Sequence, residues 1–168
     1  SIPNRARFLV EVLEAIVREI GARRTGVRIS PVTPANDASD PDPQPLFTHV
    51  AQQLAAHDLA YVHIIEGATG GPRDYQQGNE PFDYTALKAA YRDAGGRAAW
   101  MVNNGYDGEM ARAAVAEGRA DLVAFGKLYI ANPDLVRRLR ERAPLNEPDK
   151  STFYGGGAKG YLDYPTLD

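Results

Sequence analysis

Short apolar segments alternate with helix-like segments along nearly the whole chain of 168 residues. The first helix-like segment, Asn4–Ile20, repeats its apolar residues at the i, i+3 and i+4 spacing of one helix face. The segment Leu59–Ile65 is almost continuously apolar, which is typical of a parallel strand covered on both faces. Strands and helices that alternate through short turns favour parallel pairing with right-handed crossovers. The sequence therefore predicts an α/β protein built on a parallel sheet.

The predicted elements follow one another as an opening helix and then as strand–helix pairs. The predicted helices are Asn4–Ile20, Leu46–His57, Asp83–Ala94, Gly108–Glu117 and Asn132–Arg142. The predicted strands are Thr25–Ser30, Leu59–Ile65, Ala98–Val102 and Leu122–Phe125. We interpret residues 1–142 as one domain of four βα units and Ala143–Asp168 as an irregular tail.

Both a (β/α)8 barrel and a doubly wound sheet produce this alternation. Two long polar loops, Val32–Gln44 and Glu66–Asn79, follow predicted strands, which is where such barrels carry their binding loops. No GxGxxG fingerprint follows the first strand to support the doubly wound alternative. A complete (β/α)8 barrel needs roughly 250 residues, so the chain is long enough for only part of one.

Composition narrows the classes of function. The net charge is −3 and the pI about 5.6, so no basic surplus points to nucleic acid or to an anionic membrane surface. No apolar run approaches the ~20 residues that a membrane span needs. The absence of cysteine excludes disulfides and thiolate sites, and the histidines lack metal-ligand spacing, so we expect no metal. We expect a cytoplasmic protein without a signal segment.

The segment Asp121–Leu135 has the residues of a phosphate site. A buried strand is predicted to stop at Gly126-Lys127, and a helix to begin at Asn132 with Pro133 in its first position. A bare glycine backbone, a cation and a helix N-terminus together suit a phosphate group. An ordinary βα turn with a solvated lysine explains the same residues equally well.

Arg28 is a second candidate, because it stands inside the apolar strand pattern TGVRIS. A guanidinium is always charged and is costly to bury without a partner. It therefore needs either an internal carboxylate, which would make it structural, or an anionic ligand. The residues alone favour neither.

Four segments in order resemble the C-terminal half of the Old Yellow Enzyme family, the FMN-dependent ene-reductases built on a (β/α)8 barrel. They are SIPNRARFLVEVLEAIV at Ser1–Val17, TGVRISP at Thr25–Pro31, AFGKLYIANPDLV at Ala124–Val136 and FYGGGAKGYLDYPTL at Phe153–Leu167. The resemblance implies strands five to eight of the barrel, with a C-terminal tail that closes over the active site.

The resemblance also implies roles for individual residues. Arg28 would lie by the flavin ring system and stabilise the negative charge of the reduced flavin. The FMN phosphate would be held by backbone N–H groups of Asn104-Gly105 and Gly126-Lys127 and by the Lys127 side chain, and Tyr154 would line the substrate pocket. Without the family, Asn104-Gly105 is a plain turn and Tyr154 a surface aromatic. The chain departs from the family's usual residues at three places. Lys127 stands where an arginine is usual, Asn104-Gly105 stands where Gly-Gly or Gly-Ala is usual, and Pro3 stands where an acidic residue is usual.

The family's substrate-binding histidine pair and proton-donating tyrosine precede the matching segment, so no catalytic residue is expected in this chain. The resemblance implies a share in the NAD(P)H-dependent reduction of activated C=C bonds in enones, enals or nitroalkenes. Open strand edges would need a partner, either the N-terminal half as a second chain or another copy. The alternatives are a non-catalytic half-barrel that self-associates and binds a phosphate ligand, and another phosphate-binding barrel enzyme that shares only the last two loops.

Overall fold

The computed structural model describes residues 1–35, 38–76 and 80–168. Parts of the two long predicted loops, residues 36–37 and 77–79, lie outside the described residues. The chain divides into two compact units, Ser1–Ala124 and Phe125–Asp168, and each is described by itself.

The described residues of the first unit form four α-helices, four strands and a short 3₁₀ helix at Ala22–Arg24. The helices are α1 (Ile2–Ile20), α2 (Pro43–Ala55), α3 (Tyr84–Asp93) and α4 (Gly108–Ala116), and the strands are β1 (Gly26–Ile29), β2 (Tyr61–Ile65), β3 (Ala99–Asn103) and β4 (Leu122–Ala124). The strands pair in the order β1-β2-β3-β4, and every pair is parallel. The predicted parallel α/β architecture is therefore confirmed. The helix α2 begins before the predicted Leu46, because Pro43 supplies a φ angle that is already suited to a first helical position.

One face of the sheet packs against helices. Most of its side chains are almost fully buried, namely Ile29, Val62, Ile64, Trp100 and Val102, while Val27 and Val123 at the two edges are half-buried. The α3 residue Tyr91 lies with its ring centroid 5.3 Å from that of Trp100. Burial of these large apolar side chains stabilises the unit by roughly 1.5–3 kcal/mol for each one.

The other face of the sheet, here called the open face, is far less buried. It presents Arg28, Tyr61, His63, Met101 and Leu122, which are exposed or half-buried. Tyr61 lies over Gly26, where an added Cβ would come within 2.3 Å of its ring. In the described sheet, β1 pairs only with β2 and β4 only with β3, so the sheet has two unpaired edges.

The helix α1 carries apolar side chains on two sides. Ala6 and Leu13 are buried, and Leu13 is the one residue of the predicted apolar face that is fully buried in the structure. Phe8, Val12, Ile16 and Ile20, here called the α1 stripe, recur every four residues and stay exposed, with Phe8 at 78%. A row of this kind on a single helix face is typical of a surface that contacts another protein.

The second unit corrects the sequence prediction. It contains α5 (Lys127–Ala131) and α6 (Leu135–Glu141), followed by a short 3₁₀ turn at Lys150–Thr152 in an otherwise irregular tail. The predicted helix Asn132–Arg142 corresponds to α6 but begins too early, because Asn132 follows the end of α5 and Asp134 holds the N-cap position of α6, and α5 itself was not predicted.

Asn132 ends α5 because its side chain bonds both the helix and the tail. Its amide donates to the carbonyl oxygen of Leu128 at 2.8 Å, and its Oδ1 accepts from the backbone N–H of Asn146 at 2.7 Å. The Asn146 amide in turn donates to the carbonyl oxygens of Ala131 and Pro165. Asn132 is fully buried, so these bonds replace the water that its amide would otherwise bind.

The arginine side chains of α6 do not all face solvent. Arg138 is only 4% exposed. Its guanidinium donates to Asp134 Oδ1 at 2.7 Å and to the carbonyl oxygens of Pro144 and Pro165. A buried cation persists here because a carboxylate and two carbonyl groups surround it.

Candidate functional site

The loops at the carboxyl ends of β1 and β2 are bonded to one another. The hydroxyl group of Thr33, after β1, donates to the carbonyl oxygen of Gly67 at 3.0 Å. Its oxygen also accepts from the backbone N–H of Thr69 at 3.2 Å. The carboxyl end of the sheet therefore carries an ordered loop layer, as expected for a binding end of a parallel sheet.

The pair Asn104-Gly105 forms a tight turn directly after β3. Asn104 has φ 100° and Gly105 φ 67°, so both lie in the left-handed region, which favours glycine and asparagine. The Asn104 amide donates to the carbonyl oxygens of Glu66 at 2.7 Å and Ala68 at 2.9 Å. That side chain is therefore occupied by the protein, and the turn can offer a ligand only its backbone.

The backbone N–H groups of Gly105 and Tyr106 have no acceptor among the described residues. Gly105 is exposed. An exposed turn with free N–H groups and a left-handed glycine can approach an anion closely, because no Cβ intervenes. This local geometry fits the predicted role of the turn.

Beside this turn lies a cluster that the sequence analysis missed. The Tyr106 hydroxyl donates to Glu66 Oε2 at 2.8 Å. The Arg73 guanidinium lies 3.9 Å from the same oxygen and 4.8 Å from the centroid of the Tyr106 ring. Tyr106 stands 40 residues beyond Glu66, so only the fold brings the two together.

Burial controls the protonation of this cluster. It raises the pKa of Glu66, although the hydrogen bond from Tyr106 and the charges of Arg73 and Arg119 act in the opposite direction. Burial, together with the hydrogen bond and the charge of Glu66, raises the pKa of Tyr106 to about 12. Tyr106 thus keeps its proton throughout the physiological range and remains a hydrogen-bond donor.

Arg28 lies on the open face, opposite His63 in the β1–β2 pairing. Its side chain is exposed, and no described residue forms an ion pair or hydrogen bond with it. The internal salt bridge that was weighed for Arg28 is therefore not formed within the described residues. Burial and the neighbouring guanidinium both lower the pKa of His63, so this histidine is neutral at pH 7.

Gly126 and Lys127 lie in the second unit, at the start of α5. Gly126 holds the N-cap position with φ −98°, an angle that any residue adopts, and Lys127 is exposed. Lys127 has no hydrogen-bond or ion-pair partner among the described residues. The cation is thus available to a ligand, next to a short helix that the sequence did not predict.

Tyr154 also lies in the second unit, on the irregular tail. It is 95% exposed, and its ring meets that of Phe153 edge to face at 6.5 Å.

A shallow pocket of about 410 Å³ lies at the opposite end of the sheet. Its lining includes Arg23, His57, Asp58 and Arg97, which precede strands rather than follow them. Arg23 is paired there with Asp58 at 2.7 Å. None of the predicted site residues lies in this pocket.

The described residues show neither a membrane-spanning helix nor a metal-binding cluster. In residues 1–35, 38–76 and 80–168, no helix has both the length and the apolar character to cross a membrane. The same residues contain no group of three or more histidine or acidic side chains placed to hold a metal ion.

Comparison with known proteins identifies related sequences and folds. The model of the NADH:flavin oxidoreductase / NADH oxidase family matches residues 1–146. The chain is 42% identical over 173 residues to 12-oxophytodienoate reductase 1 of Oryza sativa subsp. japonica, covering all of this chain and 43% of that protein. It is 39% identical over 172 residues to a "probable flavin mononucleotide-dependent alkene reductase" of Leishmania infantum, covering 99% of this chain and 42% of that protein.

The same fold occurs in solved structures. The old yellow enzyme from Trypanosoma cruzi superposes with a TM-score of 0.87 at 32% identity, covering all of this chain and 42% of that one. The chain therefore spans 42 to 43% of the length of these three proteins.

Proposed function

Because the chain belongs to the NADH:flavin oxidoreductase / NADH oxidase family, we propose that it forms the FMN-phosphate-binding part of an ene-reductase. The substrates would be activated alkenes such as enones, enals and nitroalkenes, and NAD(P)H would be the reductant. The observation that carries the proposal is the left-handed turn Asn104-Gly105 at the carboxyl end of β3, where Gly105 is exposed and the N–H groups of Gly105 and Tyr106 lack an acceptor among the described residues. The share of each relative that the chain covers supports a partial (β/α)8 barrel, and we propose that this part is the C-terminal half.

The proposed phosphate ligands are backbone N–H groups and one cation. Gly105 and its neighbour Tyr106 offer N–H groups that lack a described acceptor, and Gly126-Lys127 adds an exposed glycine and an ammonium group. A dianion suits such donors, because hydrogen bonds to charged groups are stronger than those between neutral groups. Lys127 gives a point charge rather than the two-pronged contact of the arginine usual in the Old Yellow Enzyme family.

Arg28 is proposed to face the flavin ring system. Its guanidinium is exposed on the open face without a described acidic partner, so its charge can stabilise an anion there. When bound, FMN would supply the hydride chemistry between NAD(P)H and the alkene, while this chain binds and orients it. Tyr154 is proposed to contact the substrate, and no catalytic residue is proposed in this chain.

The proposal includes a partner, because the chain leaves apolar surface and strand edges uncovered. Both outer strands have an unpaired edge, the open face exposes Tyr61 and Leu122, and the α1 stripe is exposed. Unpaired edges and apolar rows of this kind favour association. The occupant we propose is the N-terminal half of the barrel as a second chain, with a second copy of this chain as the alternative.

Reconstitution tests the proposal. We expect the chain to show no NADPH oxidation alone, and to gain it when the N-terminal half of a relative, FMN and a cyclic enone are added together. One control omits the enone. A second control contains the N-terminal half without this chain. Persistent inactivity of the complete mixture would show that the enzyme assignment is wrong. FMN binding without turnover would instead favour a non-catalytic half-barrel.

A further inference from the structure

A partly buried hydrogen bond ties the turn after β3 to the end of β2. Glu66 follows the last residue of β2, and Tyr106 follows the turn Asn104-Gly105. The hydroxyl–carboxylate distance is 2.8 Å, and the Tyr106 ring is only 7% exposed. A bond of this kind between two loops restricts the shape of both.

The same two loops are joined a second time through Asn104. Its side-chain amide donates to the carbonyl oxygens of Glu66 and Ala68, and it is buried as well. The backbone of the turn is therefore held from both sides, by Asn104 before Gly105 and by Tyr106 after it. The φ angle of 100° is costly at Asn104, which is not a glycine, so the surrounding bonds must maintain it.

Arg73 completes the arrangement from the loop after β2. Its guanidinium covers the Tyr106 ring and approaches Glu66, and its Cβ would lie 3.8 Å from a Cβ added to Gly105. The other charged or titratable groups that act on Glu66 or are affected by it are Tyr84 and Arg119. The Tyr84 hydroxyl group is already hydrogen-bonded, because its oxygen accepts from the backbone N–H of Gly67 at 2.7 Å.

We propose that Glu66 and Tyr106, supported by Arg73, are positioning residues that hold the Asn104-Gly105 turn in the shape that receives the flavin phosphate. This inference rests on the proposed function. Glu66 acts as the hydrogen-bond acceptor, Tyr106 as the donor, and neither touches the ligand through its side chain. Discrimination between FMN and riboflavin, which lacks the phosphate, therefore depends on the hydrogen bond between Tyr106 and Glu66, which supports the turn without contacting the ligand.

The experiment measures dissociation constants for FMN and for riboflavin by quenching of flavin fluorescence, with the full chain in the presence of the N-terminal half. The variants are Tyr106→Phe, Glu66→Ala and Glu66→Gln. We expect the first two to reduce the preference for FMN over riboflavin about tenfold, the size expected for one lost hydrogen bond. Glu66→Gln keeps an acceptor oxygen, so it should retain the preference within about twofold.

Tyr91→Phe is the matched control. The Tyr91 hydroxyl is buried and accepts from the backbone N–H of Ala98 at 3.1 Å, at the other end of β3. Its removal should lower the melting temperature but leave the FMN preference unchanged. An equal loss of preference in this control would show that general destabilisation is the cause, which would overturn the inference.

The remaining outcomes separate the inference from the function on which it rests. If the unaltered chain binds FMN no better than riboflavin, the proposed phosphate site is wrong and the inference falls with it. If it prefers FMN and both Tyr106→Phe and Glu66→Ala keep that preference, only the positioning role is overturned. A loss in Glu66→Gln as large as in Glu66→Ala would overturn the acceptor role of Glu66.

Discussion

Two backbone conformations at Asn104 and Gly105 shape the candidate site more than any single functional group. A side chain at Gly105 would be strained at φ 67°, and Asn104 tolerates φ 100° because its amide is bonded to the neighbouring loop. The dipeptide predicted a turn from the sequence alone. The partners that hold the turn could not be predicted, because Glu66 and Ala68 are 38 and 36 residues away from Asn104.

Replacing Lys127 tests the proposed cation of the phosphate site. Lys127→Ala should weaken FMN binding by roughly 1–3 kcal/mol, because one charge-assisted contact to the phosphate is lost. Titration of FMN by fluorescence measures the change. Lys150→Ala, at another exposed lysine of the same unit, is the control and should have no effect. An unchanged affinity in Lys127→Ala would remove Lys127 from the site.

The buried carboxyl of Glu66 predicts a specific pH dependence of stability. Burial raises its pKa, so the folded protein holds the proton more tightly than the unfolded chain does. Its contribution to stability is therefore greatest in acid and is lost as the pH rises through the raised pKa. Glu66→Gln cannot titrate, so its stability relative to the unaltered protein should improve as the pH rises from about 4 to about 7.

Thermal or urea unfolding at several pH values across this range measures that difference. Tyr106 should not contribute to the slope, because its pKa of about 12 lies far above the range. Parallel stability profiles for Glu66→Gln and the unaltered protein would contradict the raised pKa of Glu66.

Helices and strands were predicted well where the pattern was long. Each of the four strands and the four helices of the first unit has a counterpart in the prediction, because periodic apolar residues decide both burial and element type. The prediction failed after β4, where α5 has only five residues and begins at a lysine without a side-chain cap. The Asn-Pro pair was interpreted as a helix start, although Asn132 bonds backward to Leu128 and forward to the tail.

The reciprocal contact between Asn132 and Asn146 should stabilise the second unit. Asn132→Ala leaves buried backbone groups without partners, so we expect a loss of roughly 2–3 kcal/mol. Asn146→Ala removes the other side of the same contact. The double variant should be less destabilised than the sum of the single variants, because both remove shared bonds.

Amide hydrogen exchange in residues 143–168, read alongside unfolding, measures this effect. We expect faster exchange in both single variants, because the tail is attached to α5 through these amides. Additive changes in the free energy of unfolding, with exchange unchanged in the tail, would show that the two asparagines act independently.

The first unit as a whole is a sheet covered on one side only. Its helix-packed face is almost fully buried, while the open face and the α1 stripe remain exposed. A protein with this distribution of apolar surface is expected to associate, and the proposed partner is the other half of a barrel. The length of the sequence predicted that strand edges would be unpaired. The exposure of the α1 stripe could not be predicted, because a helical pattern shows which residues are apolar but not which of them pack against a neighbouring element.

Polar substitutions in the α1 stripe test this association. Phe8→Ser combined with Ile16→Ser should weaken binding to the N-terminal half, or self-association, by roughly tenfold or more. The reason is that association would then bury two fewer large apolar side chains. Folding should change little, since both side chains are already exposed. Glu14→Ser on the same helix is the control. Sedimentation equilibrium that is unaltered by the double substitution would exclude the α1 stripe from the interface.

The bond between Glu66 and Tyr106 has a consequence for protein engineering. Loops after barrel strands are the usual targets when an enzyme is diversified toward new compounds. Here residues 66–73 hold the turn after β3 through Glu66, Ala68 and Arg73. If the proposed phosphate site is correct, a library that randomises this loop to change selectivity would also alter retention of the prosthetic group, and screening with saturating flavin would recover variants that are otherwise discarded as inactive.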